Sequence, residues 1–194
     1  MHTFCVVVPG NFKLYNEDPD ICLENVVSKR YLRSLSRDNM IFTSDNPEKI
    51  TIYYYKPDVM DETFRGMPVA LKFTDSQSFL KCGKEGGKVI LGVEVRAPSE
   101  KMGGVAALPP PTLERHLVAC DKQRLKQICK KDDSALAFLF YMKGNKSGQR
   151  RFESVLCPGW FIHTLDQDED EDQEVKMGHQ PADMDPAFYF IIQT

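Results

Sequence analysis

The chain has 194 residues, a formal net charge of −3 and 42% hydrophobic residues, enough to bury one sizeable core. That balance excludes a global electrostatic pull toward nucleic acid or anionic lipid, and no apolar run approaches the ~20 residues of a membrane helix. The six cysteines are irregularly spaced with no CxxC, which excludes a zinc ribbon and a dense disulfide scaffold and leaves reduced, mostly buried thiols as the expectation.

The N-terminal stretch FCVVVPG (4–10) is too short for a signal-peptide core, lacks a basic flank and precedes no small-residue cleavage site. Synthesis in the cytosol is therefore expected. After a short extension over 1–11, strand-length runs rich in β-branched and aromatic residues recur between Gly, Pro, Asp and Asn. They are FKLY (12–15), DICLENV (20–26), RYLRS (30–34), NMIFTS (39–44), KITIYYYK (49–56), PVALKF (68–73), SFLKCG (78–83) and KVILGVEVR (88–96). Then come ALAFLFYM (135–142), RRFESV (150–155), GWFIHT (159–164), EVKMG (174–178) and AFYFIIQ (187–193). Short, evenly spaced strands predict an all-β barrel or sandwich. GKEGGK (83–88) reads as a hairpin turn, not a phosphate loop. KGNKSGQRR (143–151) reads as a basic hairpin tip without the interleaved aromatics of a nucleic-acid patch.

Two segments break the pattern. The Gly/Pro-rich stretch 97–111 leads into TLERHLVACDKQRLKQICKK (112–131). There Leu113, Leu117, Cys120 and Ile128 fall near one helical face, with Thr112 as N-cap and lysines at the end. A helix-bearing insertion over 98–133 is the expectation. The run DQDEDEDQE (166–174) predicts a solvated acidic loop.

Four scattered histidines, at 2, 116, 163 and 179, suggest no nucleophilic triad. His116 and Cys120 stand at i, i+4, with Cys129 further on, but a metal would need a fourth ligand, and ordinary helix packing is preferred. No enzyme activity, metal or cofactor is expected; the residues by themselves describe a β-rich binding module.

One stretch is more specific. In FESVLCPGWFIHT (152–164), Pro158-Gly159 is a turn between two short strands, with the only tryptophan of the chain at the corner. Phe152, Ser154, Pro158, Trp160, Phe161, Ile162 and Thr164 match the signature of the interleukin-1 cytokine family, which this stretch closely resembles; His163 departs from the small residue usual there. MPVALKF, SFLKCGKEGGKVILGVEV, ALAFLFYMKG and AFYFIIQT resemble other strands of that family, and FKLYNEDPDICL with YLRS resembles its first and third strands.

The resemblance implies a twelve-stranded, pseudo-threefold β-trefoil over 12–194, with NMIFTS as a connection rather than a core strand. It implies a leaderless cytokine, extracellular by unconventional secretion with a cytoplasmic pool. Such a ligand binds an immunoglobulin-like primary receptor and, as an agonist, an accessory chain; an antagonist stops at the first step. A monomer is expected, with no nucleic acid and no membrane insertion. The short stretch before the first strand resembles the interleukin-36 and receptor-antagonist-like members. Their A-x-D trimming motif falls here on Leu14-Tyr15-Asn16, with both ends departing. By position, the receptor contacts of receptor-antagonist-like members fall on Tyr15, Tyr31, Arg33 and Tyr189, each of which reads equally as an exposed strand residue. The position that separates agonists from antagonists is Ala187, which matches neither. The resemblance also places Cys82 and Cys157 where some members have a bridge, against two reduced buried thiols as the plainer reading. The alternatives are a trefoil for another ligand such as carbohydrate, although no repeated Q-x-W string occurs, a non-signalling intracellular protein, and an all-β hydrolase.

Overall fold

A computed structural model describes residues 10–35, 39–58, 64–76, 78–95, 126–164, 173–179 and 185–194. Thirteen strands form one sheet. They are β1 (Asn11–Asn25), β2 (Tyr31–Leu35), β3 (Met40–Ser44), β4 (Ile50–Pro57), β5 (Met67–Phe73), β6 (Ser78–Glu85), β7 (Lys88–Val95), β8 (Gln127–Cys129), β9 (Phe140–Gly144), β10 (Arg150–Ser154), β11 (Trp160–Thr164), β12 (Val175–His179) and β13 (Phe190–Gln193). A one-turn helix α1 (Asp133–Leu136) and a 3-10 turn (Pro186–Phe188) complete the described elements.

The pairing closes on itself. β1 pairs β4, β4 pairs β5, β5 pairs β9, β9 pairs β10, β10 pairs β13, and β13 returns to β1. That ring is a six-stranded antiparallel barrel with no free edge of its own. The hairpins β2–β3, β6–β7 and β11–β12 branch from it and pack on one another as a cap. Each third of the chain is therefore barrel strand, hairpin, barrel strand, which is the β-trefoil. The threefold repeat lives in this connectivity; no sequence repeat announces it.

Alternation explains the barrel core. Ile50 and Ile52 of β4, with Val69, Leu71 and Phe73 of β5, point inward to meet Leu23, Leu80, Phe140, Phe152, Ile162 and Phe190. Tyr53, Tyr55 and Ala70 point outward yet are also buried. Phe12, Ile128, Leu136, Phe138 and Leu139 cover them as a second core. Double-sided burial is why ITIYYYK alternates only partly.

Three expectations change. Met40–Ser44 is a full strand paired along β2, not a connection. FKLY and DICLENV fuse into the single bulged strand β1. Gln127–Cys129, placed by helical periodicity at the end of a helix, is a strand against Asn11–Lys13. Ile128, 1% exposed, is drawn into the apolar trench beside Phe12 and Tyr55, so the end of the expected insertion belongs to the protein's core. The helix that follows is only α1, capped by the Asp132 carboxylate, which accepts from the Ser134 and Ala135 amides. Residues 112–125 of the expected helix lie outside the described residues, as do 1–9 and 165–172.

Candidate functional site

The corner 152–164 is built as its residues require. Phe152, Ser154, Phe161, Ile162 and Thr164 are buried. The Ser154 hydroxyl accepts the Cys157 amide at 3.0 Å, and the Glu153 carboxylate accepts the Gly159 amide at 2.8 Å. Gly159 takes φ +82°, which favours glycine. Pro158 is exposed at the tip. Trp160 departs from expectation: it is half-buried against the main core, its ring edge-on to His179 at 5.2 Å. The heaviest apolar groups inside the corner are Phe152 and Phe161.

Cys82 and Cys157 are both buried, free thiols of the main core. They lie within side-chain hydrogen-bonding reach of each other. Burial pushes the Cys82 thiol up to about 12, with the Ser154 contact lowering it and Cys157 raising it.

The residues assigned to receptor contact fall into two places. Tyr15, 45% exposed, lies 6.3 Å from the Tyr54 ring with the Lys56 ammonium 4.4 Å over its face, and its hydroxyl reaches the Met67 Sδ at 3.7 Å. Tyr31 stands opposite Glu24, at the far end of β1. Two residues on, on the same face of β2, Arg33 lies 6.0 Å from the Phe42 ring. Its Nε is buried with no hydrogen-bond partner among the described residues. Tyr189 is only 9% exposed, so its side chain is a core group.

A residue that the sequence did not single out draws the second group together. Asn25 is fully buried. Its side-chain amide donates to the carbonyls of Ala187 at 3.2 Å and Tyr189 at 3.3 Å. Its oxygen accepts the amides of Val27 and Ser28, and its own amide donates to the Arg30 carbonyl at 2.9 Å. The end of β1, the entry to Tyr31 and the closing segment 187–189 thus meet at one buried side chain. The Thr164 hydroxyl also reaches the Ala187 carbonyl, at 3.5 Å, so the corner ties into the same junction. An Asn before a Val-Val pair carries no periodic signal, and only the fold shows its role.

Among the described residues no group of three or more His, Cys, Asp or Glu could hold a metal ion, and no helix is long and apolar enough to cross a membrane. His116 and Cys120 lie outside those residues.

Residues 118–191, which include the corner and the closing segment, match the family model described as Interleukin-1 / 18. Over that segment the chain is similar to the interleukin-1 family. Solved structures of this family show the same fold. Chicken interleukin 1 beta aligns with a TM-score of 0.61 at 17% identity, over 94% of this chain and 99% of that one. A chicken interleukin-1 hydrophobic cavity mutant aligns with a TM-score of 0.64 at 18% identity, over the same shares, 94% and 99%. The pro-inflammatory cytokine interleukin-36 alpha aligns with a TM-score of 0.53 at 18% identity, over 91% and 93%. No curated protein sequence matches the chain.

Proposed function

We propose that this chain is an interleukin-1-family cytokine, an extracellular, non-enzymatic ligand that reaches its site by unconventional secretion and binds an immunoglobulin-like primary receptor. The contact is the face around Asn25, where Tyr31 and Arg33 are presented beside the segment 187–189. The observation that carries this reading is the Asn25 junction, which holds together residues that are 164 positions apart in the chain. Tyr offers a large contact area with little rotamer entropy to lose, and Arg supplies a charged fork beside it. Tyr15, on the Lys56–Tyr54 patch, makes a separate and secondary contact. As an agonist the complex adds an accessory chain; as an antagonist it does not.

The test is surface plasmon resonance on immobilised interleukin-1-family receptor ectodomains, with a glycan panel beside them. Tyr31→Ala and Arg33→Ala should each weaken binding by about 1–2 kcal/mol, mainly through faster dissociation. Binding to glycans alone, or unchanged dissociation in both variants, would reject this face. A cell reporter assay, run alone and in competition with family agonists, separates agonist from antagonist.

A further inference from the structure

The β9–β10 hairpin from Lys143 to Arg151 carries four cations and no carboxylate. Arg151 turns to the Phe161 ring at 5.3 Å and is left out of the site. Lys143 and Lys146 are exposed and Arg150 is half-buried, and among the described residues none of the three makes an ion pair. The tip that carries them is fixed. Asn145 Oδ1 accepts the amides of Ser147 and Gln149, each at 3.0 Å, and its Nδ2 donates to Gln149 Oε1 at 2.7 Å. Gly148 completes the turn at φ +79°. Arg150 Nη1 donates to the carbonyls of Gly148 at 2.9 Å and Gln149 at 3.3 Å. The guanidinium lies over Gly144, where a Cβ would stand 2.6 Å from Nη1, so the glycine gives it room. Its Nε and Nη2 keep no hydrogen-bond partner among the described residues.

We propose that this hairpin tip binds a sulfated polysaccharide through Lys143, Lys146 and Arg150, in addition to the receptor contact at Asn25 and independently of it. Ammonium groups and an arginine fork take sulfate oxygens in charge-assisted hydrogen bonds, and a tip already held by Asn145 loses little freedom on binding. Residues 143–149 hold no aromatic or aliphatic residue. They offer neither a stacking platform for nucleic-acid bases nor an apolar face for a lipid surface. The net charge of −3 gives the chain no general attraction to a polyanion, so retention on one is the work of a local cluster.

Immobilised heparin tests it with the full chain. The wild type should be retained at about 0.15 M salt. The variant Lys143→Gln, Lys146→Gln, Arg150→Gln should pass through, with affinity lower by about tenfold or more, as the loss of three ion contacts requires. The control Lys84→Gln, Lys88→Gln, Lys131→Gln makes the same charge change at exposed lysines of other segments and should elute with the wild type. Soluble heparin should compete, whereas hyaluronan, which carries carboxylates but no sulfate, should not. Duplex DNA and phosphatidylserine vesicles at the same salt should not be bound. If the tip variant does not fold by circular dichroism, Lys143→Gln with Lys146→Gln replaces it. A wild type that is not retained, equal elution of wild type and tip variant, or equal loss in the control overturns the proposal. So does equal competition by hyaluronan, or equal binding to DNA or vesicles.

Discussion

The imidazole of His163 lies against the ring of Phe188, with centroids 4.8 Å apart and planes 21° from parallel. Strand β11 thereby holds the 3-10 turn whose middle residue is Ala187. Gly178 gives this stack its room: a Cβ there would stand 2.7 Å from His163 and 2.8 Å from Phe188. Burial holds His163 below its ordinary range. The Thr164 carbonyl and Asp185 pull it back up, and Lys176 pushes it further down.

The sign of the resulting pH dependence follows. Folded His163 prefers the neutral form, so the unfolded chain binds more protons as pH falls. The contribution of the stack is fully present above the unfolded value near 6.5 and is lost as pH drops through the lower folded value. Thermal melts taken between neutral and mildly acid pH should show a falling Tm, and His163→Phe should flatten part of that slope. Identical slopes in both proteins would contradict it.

Trp160→Ala should cost about 2–3 kcal/mol, less than the ~3–5 kcal/mol of a fully buried aromatic such as Phe152→Ala. The indole is half-buried and loses mainly its contact with His179 and the edge of the core. Denaturant melts of the two variants give the order directly; a larger loss for Trp160 would mean that the corner rests on the indole.

Deletions in the segment between β7 and β8 and in the strap β8 that follows it should differ in effect. Removing 98–125 leaves β8 and should give a folded protein, since loop length enters closure entropy only logarithmically. Extending the deletion to 133 removes Ile128 and exposes Phe12 and Tyr55. Ile128→Ala alone should cost about 2–5 kcal/mol. Circular dichroism melts of the three variants suffice, and equal stability for both deletions would remove Ile128 from the core.

Alkylation should grade the thiols by access and thiolate fraction. Half-exposed Cys129 should react with iodoacetamide well before buried Cys82 and Cys157, the former held as thiol up to about 12. Peptide mapping after timed quenching reads this; rapid native labelling of Cys82 would contradict the packing of the pair.

Much of this protein was legible without coordinates. Strand-length runs between turn residues fixed the all-β class because period-two burial and turn chemistry are local properties. The corner 152–164 carries the resemblance to the interleukin-1 family because its spacing encodes local geometry: a hydroxyl to cap the turn at Ser154, a glycine for the left-handed step at 159, and alternate apolar residues to fill the core. What the sequence left undecided depends on long-range contact. Ile128 satisfies a helical stripe as well as a strand, and only the trench left open by Phe12 and Tyr55 chooses the strand. Tyr189 looks like a surface aromatic until Asn25, 164 residues away, draws its backbone inward and the side chain follows. Tyr15 and Tyr31 appear as neighbours in a short stretch of sequence, yet Tyr15 lies on β1 of the barrel and Tyr31 on β2 of the cap. Burial, junctions and faces are properties of which distant segments meet, and that is decided by closing the six-stranded ring.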